Sequence, residues 1–343
     1  MIIRSLKLAA PALAAGSLLA LGAPLGAADY FAGKVITIQV PSGPGASYHA
    51  YCQMVQRNIF KYIPGNPTTT IQNLPGGGGA KSASYMYNAA PKNGTVIAMI
   101  APGTITVPLV RKVKYDARKF EWLGSPAARP YALWAWHTTG IKTLEDTRKK
   151  EVTVATSGFA AAGSVLVRLM NATLGTKLKN IYGYRGGGQL NLAVERGEAQ
   201  TRTNFYSGFM AAQPNWIKEK KVIPLIGMGP RDKHKEFIGV PHMRDLLKPG
   251  SLDLKVYDVL ALNLKVGQGF YIPQGSSKQV RDILGDAFDK MVADPDFERQ
   301  ILARRIEFSP VPAAKIRKII KDGFAAATPE VVKALKAIFK KTK

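Results

Sequence analysis

Short stretches that alternate hydrophobic with polar residues, separated by glycine-rich turns and helical patterns, run along most of the chain. KVITIQVP (34–41) alternates Val and Ile with polar residues and stops at Pro, which predicts a strand. AYCQMVQRNIFKYI (50–63) places apolar residues at near-helical spacing after a glycine-rich turn. NPTTTIQNLP, GGGGAKSASYMYNAAP and GTVIAMIAPG then predict a strand, a loop with a helix, and a third strand. This order predicts a parallel sheet with helices on its faces and ligands beyond the carboxyl ends of its strands.

The same alternation begins again after Gly124. YALWAWH, EVTVATSG and NIYGYRGGG are typical of strands, and GSVLVRLMNATLG and QLNLAVERGE are typical of helices. Nearer the C-terminus, QGFYIP (268–273) predicts a strand that returns to the first unit and is followed by helices. We therefore expect an α/β protein with two Rossmann-like lobes joined by a hinge. Lobe 1 comprises residues 29–127 and 265–343, and lobe 2 comprises residues 128–264.

The first 28 residues have the layout of a secretory signal peptide. MIIRSLK carries two positive charges, LAAPALAAGSLLALGAPLG is an apolar run interrupted by Gly and Pro, and Gly26-Ala27-Ala28 offers small residues for cleavage. A transmembrane anchor is the alternative, but the interruptions disfavour a membrane-spanning helix. We expect the mature chain to be exported to the periplasm as a soluble protein.

The charge balance of the chain is strongly basic, with 48 Lys and Arg residues against 23 Asp and Glu residues and a formal net charge of +25. Nucleic-acid binders show this balance, and so do periplasmic proteins that attract anionic solutes or lie near anionic lipid. The basic residues are scattered, as in TRKKE (147–151) and KEKK (218–221), without an aromatic stacking motif. We expect a solvated surface that steers anions, and no nucleic-acid partner.

Four glycines precede Ala-Lys-Ser in LPGGGGAKSASYMYNAAPKNGT (74–95), as they would in a phosphate-binding loop. A Walker loop needs glycines where this chain has Pro75 and Ala80, and the dinucleotide pattern fails at Lys81. The loop therefore carries no nucleotide signature. Its backbone N–H groups and its freedom to adopt positive φ still suit the binding of an anion.

Catalytic signatures are missing from the sequence. The four His residues do not pair at H-x-x-x-H spacing, no G-x-S-x-G motif occurs, and the glycine-rich loops contain no paired carboxylates. We expect no catalytic residue, no metal and no cofactor, and a periplasmic enzyme on the same fold is the less favoured alternative. The single cysteine, Cys52, excludes an intramolecular disulfide, and we expect it to be a buried apolar residue.

Several segments together resemble the tripartite tricarboxylate transporter receptors, which are TctC/Bug-type periplasmic solute-binding proteins. These segments are ITIQVPSGPGASYHAY, NPTTTIQNLPGGGGAKSASYMYNAAPKNGTVI, YGYRGGGQLNLAVERGE and GFYIPQGSS, and the chain resembles a divergent member over nearly all of its mature length. The resemblance implies a type II periplasmic-binding-protein architecture whose lobes close on a ligand that usually bears a carboxylate. It also implies that a small organic acid is delivered to the permease subunits of a tripartite transporter, or in some cases to a sensor. We expect the protein to be a monomer.

The resemblance also implies where the ligand binds. The family holds a carboxylate between loops of both lobes, with backbone N–H groups, hydroxyls and helix N-termini, and a helix N-terminus carries a partial positive charge that suits an anion. The matching loops are residues 42–49, 76–80 and 157–164. We predict the following ligand-binding residues from these loops and their neighbours: Ser42, Gly43, Gly45, Ala46, Ser47, Tyr48, His49, Gly77, Gly78, Gly79, Thr104, Ser157, Gly158, Phe159, Gly163, Ser164, Tyr184, Arg185, Asn204 and Tyr206.

Two positions depart from the family pattern. Where relatives commonly carry Asp and, four residues on, Arg, this chain has His49 and Gln53. Replacing an acid with an imidazole favours an anionic or hydrogen-bond-accepting group over an amine, if His49 contacts the ligand; the alternative is that His49 is an ordinary surface or core residue. Arg185 either pairs a second carboxylate or is solvated, and both interpretations stay open.

Hydroxyl-bearing residues of the loops also have two interpretations. Ser47 and Ser164 either donate to the ligand or only cap the helices that follow them. Tyr48, Tyr184 and Tyr206 either line the cleft as amphipathic walls or pack in the ordinary way.

Overall fold

The computed structural model of the protein describes residues 30–44, 47–159, 161–184 and 186–340, apart from the side chains of residues 47, 102 and 211. The predicted signal peptide lies outside the described residues. So do the predicted ligand-binding residues Gly45, Ala46 and Arg185 and the side chain of Ser47.

The described residues form eleven strands, which lie in two sheets. The strands are β1 (Val35–Val40), β2 (Thr68–Asn73), β3 (Val96–Met99), β4 (Glu121–Ser125), β5 (Tyr131–Trp136), β6 (Val152–Ala155), β7 (Leu178–Ile181), β8 (Thr201–Asn204), β9 (Val222–Met228), β10 (Phe270–Ile272) and β11 (Val311–Pro312).

Helices connect the strands and cover the sheets. The α-helices of the described chain are α1 (Ser47–Asn58), α2 (Ala80–Asn88), α3 (Val107–Val110), α4 (Asp146–Lys149), α5 (Ala162–Leu174), α6 (Gly187–Glu195), α7 (Tyr206–Ala212), α8 (Pro214–Lys218), α9 (Met243–Leu246), α10 (Leu252–Val266), α11 (Lys278–Ala293), α12 (Pro295–Ala303), α13 (Ala313–Ala326) and α14 (Pro329–Ile338). Within the described ranges, none of these helices combines the length and the apolar character that crossing a bilayer requires.

The strand and helix segments that the alternation predicts are present, but both sheets are mixed rather than parallel. The first sheet has the order β11-β4-β10-β3-β1-β2. β1 pairs in parallel with β2 and β3, as expected, whereas β10 is antiparallel to both of its neighbours, β3 and β4. β10 enters the sheet after the chain has passed through the second unit, so it comes from the opposite end and does not follow the β-α-β rule of the strands before it.

The second sheet repeats this arrangement with the order β7-β6-β8-β5-β9. β6 pairs in parallel with β7 and β8, while β5 lies antiparallel between β8 and β9. The parallel strands β6 and β8 are each followed by a helix that begins beyond the carboxyl end of the sheet, as the alternation predicts.

Two segments carry the chain between the sheets, and they touch each other. One lies between β4 and β5, the other between α10 and β10. Gln268 N donates to Ala127 O at 2.9 Å and Arg129 N donates to Leu264 O at 2.8 Å. Gly267 has a φ of 64°, and a Cβ there would lie 2.0 Å from Ala127 O, so only glycine fits this contact. The lobe limits at 127/128 and 264/265 stay predictions.

The core of the first unit forms between its sheet and the helices that follow β1 and β10. Val55 and Ile59 of the α1 region are fully buried, as are Ile36 and Ile38 of β1. Cys52 belongs to the same core with 0% exposure, and burial raises the pKa of its thiol. The structure thus agrees with the interpretation of Cys52 as a small apolar residue rather than a reactive thiol.

Candidate functional site

A cleft of about 430 Å³ lies between the two units, where glycine-rich loops of both converge. This volume falls in the range of small-molecule sites. Its lining residues are Pro41, Ser42, Tyr48, Gly78, Ala101, Gly103, Arg129, Tyr131, Ala155, Thr156, Ser157, Ala161, Ala162, Gly163, Ser164, Gly186, Gly187, Leu190, Arg202, Thr203, Asn204, Phe205 and Leu264. The described lining contains two arginines and no Asp or Glu, so its formal charge is positive.

Two helices of the second unit begin at this cleft. The N-cap of α5 is Ala161 and the N-cap of α6 is Gly186, neither of which has a side-chain oxygen to cap the first turn. The first-turn N–H groups of a helix have no acceptor in their own helix and carry a partial positive charge. Both helices therefore present an end that suits an anion, and neither first turn contains an acidic residue.

Arg202 lies at the cleft on β8 and is only 4% exposed. Its Nη1 donates to Gly187 O at 2.9 Å and also to Asn191 Oδ1, and its Nε donates to Thr203 O at 3.4 Å. All three acceptors are neutral. Burial lowers the pKa of Arg202 to about 10, so the guanidinium is still protonated at neutral pH. A buried cation with these partners leaves room for an anionic counterpart in the cleft.

Arg129 lies at the junction of the two units and is 5% exposed. Its guanidinium stacks on Phe205 at 3.4 Å and lies 5.1 Å from the ring of Tyr48, which belongs to the first unit. With its amide oxygen turned towards the guanidinium, Gln268 accepts from Arg129 Nε at 3.1 Å and Nη1 at 3.0 Å. Arg129 is therefore held by groups from both units and from the second crossing segment.

Tyr131 and Thr203 form a hydroxyl pair on the floor of the cleft. Tyr131 Oη donates to Thr203 Oγ1 at 3.0 Å, and burial raises the pKa of Tyr131, which keeps its hydroxyl neutral. Gly163 of α5 faces this pair, because a Cβ added at Gly163 would lie 2.0 Å from Thr203 Oγ1 and 3.1 Å from Tyr131 Oη. Glycine at this position lets the α5 N-terminus approach β8.

Seven of the predicted ligand-binding residues line the cleft: Ser42, Tyr48, Gly78, Ser157, Gly163, Ser164 and Asn204. Ser164 is fully buried, and its Oγ donates to Gly158 O at 2.6 Å. This bond connects the β6–α5 loop to the first turn of α5, so the Ser164 hydroxyl has a structural role. The role of these residues in ligand binding stays a prediction.

Nine other predicted residues lie outside the described lining: Gly43, His49, Gly77, Gly79, Thr104, Gly158, Phe159, Tyr184 and Tyr206. His49 Nδ1 lies 3.2 Å from Asn73 Nδ2, and Tyr184 Oη donates to Glu198 at 3.1 Å. Gly79 has a φ of 99°, and a Cβ there would be 2.3 Å from Ala101 Cβ, so it permits a close approach. Ligand contacts of these nine residues, and of Gly45, Ala46, Ser47 and Arg185, also stay predictions.

The sequence analysis missed Arg129, Arg202, Tyr131 and Thr203. A signal for Arg202 exists in QTRTNF, where a single charge interrupts a predicted strand. Lys and Arg are seldom fully buried without a partner, so a charged residue inside a buried strand marks a candidate site.

Tyr206 lines a different groove, of about 580 Å³, that also joins the two units. Its ring stacks on His234 with centroids 3.6 Å apart, and His234 is hydrogen-bonded to Asp232. Glu307 enters this groove from the first unit. Its pKa is raised to about 7, chiefly by burial and also by the Asp232 carboxylate, while Arg129 and His234 oppose the shift.

Glu307→Gln is expected to flatten the pH dependence of unfolding. The pKa of Glu307 is above its ordinary value of 4.5, so its contribution to stability is present below pH 4.5 and is lost as the pH rises through 7. The stability of Glu307→Gln relative to the wild type should therefore rise by about 1–3 kcal/mol between pH 4.5 and 8. Urea unfolding across this range measures it, with the exposed Glu195→Gln as control. Parallel curves for wild type and Glu307→Gln would contradict the expectation.

In the described ranges, no three His, Cys, Asp or Glu side chains are grouped so as to hold a metal ion.

Comparison with known proteins shows the fold. No family model matches the chain. A UPF0065 protein of Bordetella bronchiseptica is 23% identical over 294 residues, which cover 84% of this chain and 82% of the relative. A TctC solute-binding protein from Polaromonas, solved without ligand, has a TM-score of 0.63 at 15% identity and covers 89% of this chain and 97% of its own. MatC from Rhodopseudomonas palustris with bound malate has a TM-score of 0.64 at 17% identity, and the match covers 90% of this chain and 99% of MatC.

These similarities confirm the predicted α/β fold class with two lobes and the resemblance to TctC/Bug-type solute-binding proteins. The Polaromonas neighbour is a solute-binding protein, and MatC was solved with malate bound.

Proposed function

We propose that this chain is a divergent member of the TctC/Bug-type solute-binding proteins and captures a small carboxylate-bearing organic ligand in the cleft between its units. The observation that carries the proposal is Arg202, a buried guanidinium at the cleft whose acceptors are all neutral. A carboxylate in the cleft would supply the missing counter-charge, and Arg binds carboxylates with two parallel hydrogen bonds when geometry permits.

The N-termini of α5 and α6 add to this attraction. Both helices begin at the cleft, and their first-turn amides suit carboxylate oxygens. The Tyr131 and Thr203 hydroxyls offer neutral hydrogen bonds beside the charge, which suit a hydroxyl or the second end of a short acid. The malate bound to MatC, a protein of the same fold, has this chemistry.

Delivery to a membrane transporter completes the proposed function. The ligand would be captured in the periplasm, after export of the chain by its predicted signal peptide, and passed to permease subunits of a tripartite transporter. A membrane sensor as the receiving partner is the second candidate, since the same closed, ligand-bound form would be recognised. We propose no catalytic role, because the described lining of the cleft contains no carboxylate or imidazole to act as a general base.

A comparison of an acid with its methyl ester tests the proposal. A thermal-shift screen of the mature protein over mono-, di- and hydroxy-carboxylates selects an acid, and calorimetry then measures that acid, its ester and its amide. The acid should bind about 10- to 100-fold more tightly, because a charge-assisted hydrogen bond contributes about 1.5–3 kcal/mol. Equal affinity for acid and ester would show that the cleft does not recognise the carboxylate.

A further inference from the structure

The last helix of the chain ends between the two units. α14 packs against α3 and α10 and also contacts α5. α3 follows β3 of the first sheet, whereas α5 follows β6 of the second and begins at the cleft. The carbonyl end of α14 is therefore in a position to join the first unit to the loop that precedes α5.

Arg168 of α5 makes that connection. Its Nε donates to Ile338 O, at the end of α14, at 2.7 Å, and its Nη2 donates to Phe159 O at 2.9 Å. The guanidinium also lies 4.0 Å from the centroid of the Phe159 ring, and Nη1 donates to Tyr182 Oη at 3.4 Å. A cation at the carbonyl end of a helix is electrostatically favourable. The rigid fork of Arg suits simultaneous bonds to two separate carbonyls.

Phe339, the residue after α14, lines a small crevice behind the cleft. The crevice is lined by Thr106 of the first unit, by Val165 of α5 and by α10 residues, together with Phe339 itself. Gly103, Ala162 and Leu264 line both this crevice and the cleft. The aromatic ring and the ligand site are thus separated by a single layer of residues, one of which belongs to the first turn of α5.

We propose that Arg168 and Phe339 form an interlobe latch that holds the β6–α5 loop, and with it the Ser157 and α5 side of the cleft, against the first unit. The latch rests on the proposed ligand site, and it makes Arg168 a positioning residue that acts on the ligand through the loop. Separation of the units breaks the Arg168–Ile338 bond and withdraws Phe339, so the latch slows opening and ligand release.

Arg148 provides a matched control at the other end of α5. Its Nε donates to Leu174 O, the carbonyl end of α5, at 2.9 Å. The chemistry is the same as in the Arg168–Ile338 bond, but both partners belong to the second unit. Arg148→Gln therefore removes an equivalent bond, together with the surface ion pair to Glu145, without touching the junction between the units.

Ligand dissociation is the first test. With the carboxylate that binds the wild type best, stopped-flow measurements on Arg168→Gln and Phe339→Ala should show dissociation about 10- to 100-fold faster, with association changed by less than about threefold. Arg168→Lys should give an intermediate rate, because one bond can still form. The ligand should dissociate from Arg148→Gln at the wild-type rate even if the melting temperature of that variant falls. Equal dissociation rates for Arg168→Gln and Arg148→Gln would overturn the latch.

Hydrogen exchange of the ligand-free protein tests the latch independently of any ligand. Phe339→Ala, a change in the first unit, should accelerate exchange in the 157–166 segment of the second unit, and Arg168→Gln should accelerate it in residues 330–340. Unchanged exchange in both segments would overturn the latch. If no carboxylate binds the wild type while these exchange effects are present, the proposed function fails and the latch stands.

Discussion

Replacing Arg202 with glutamine is expected to weaken carboxylate binding by about 100-fold or more. The Arg202 guanidinium is buried beside the cleft, and its three acceptors within the described chain are neutral oxygens. Removing one partner of a buried, hydrogen-bonded charge pair costs about 2–5 kcal/mol of binding free energy, and each 1.4 kcal/mol is a factor of ten. Calorimetric titration with the acid that binds the wild type measures the loss.

The ligand-free stability of Arg202→Gln separates this effect from unfolding. A buried cation with neutral partners is costly to desolvate, so the variant should melt at or above the wild-type temperature when no ligand is present. Arg244→Gln is the matched control, because Arg244 pairs with Asp258 at the surface of the same unit and is 46% exposed. It should bind like the wild type. If Arg202→Gln bound the acid as tightly as the wild type, the guanidinium would not contact the ligand.

Gly163→Ala is expected to lower both stability and ligand affinity. The new Cβ would lie 2.0 Å from Thr203 Oγ1 and 3.1 Å from Tyr131 Oη, so Thr203 must move and the Tyr131–Thr203 hydrogen bond is lost. Overpacking of this kind costs about 1–3 kcal/mol, more than the gain of up to about 1 kcal/mol from replacing Gly with Ala in a helix. Urea unfolding and titration of the same preparation measure both losses.

Gly285→Ala is the control for this substitution. Gly285 lies in the middle of α11, and a Cβ there would meet no atom within 4 Å. The helix preference for Ala then acts alone, and the variant should be more stable by up to about 1 kcal/mol with unchanged affinity. If Gly163→Ala were as stable as Gly285→Ala, the close approach of α5 to β8 would be less rigid than the distances imply.

The local pattern of the sequence was enough to predict most elements of both units. β1 and β6 both alternate hydrophobic with polar residues and are bounded by turn residues. α5 ends before Gly175, which has a φ of 69° and forms the C-cap. The direction of β10 could not be predicted in this way. Strand direction depends on the route of the chain through the other unit, so local alternation predicted its existence but not its antiparallel pairing.

The sequence analysis identified cleft-lining residues in loops that have a local glycine- or serine-rich pattern. It missed residues that reach the cleft only because segments distant in sequence come together. Ser42, Gly78 and Ser157 lie in the loops that follow β1, β2 and β6, and all three line the cleft. In an α/β sheet such loops lie beyond the carboxyl ends of the strands, where ligands bind. Arg129 precedes Pro130 in a crossing segment, and only the folded chain brings Phe205 and Gln268 against it. Because such a pairing spans more than seventy residues, no local pattern contains it.

The paired crossing segments at Gly267 affect the entropy of ligand capture. A single tether between two bodies permits rotation about every axis, whereas two tethers joined by the Gln268–Ala127 and Arg129–Leu264 backbone bonds resist twisting. An open form would then sample a narrow set of orientations and would have little orientational freedom to lose if the units closed on a ligand. A smaller entropy loss would leave a larger share of the binding energy as affinity, which would favour the proposed capture of a solute.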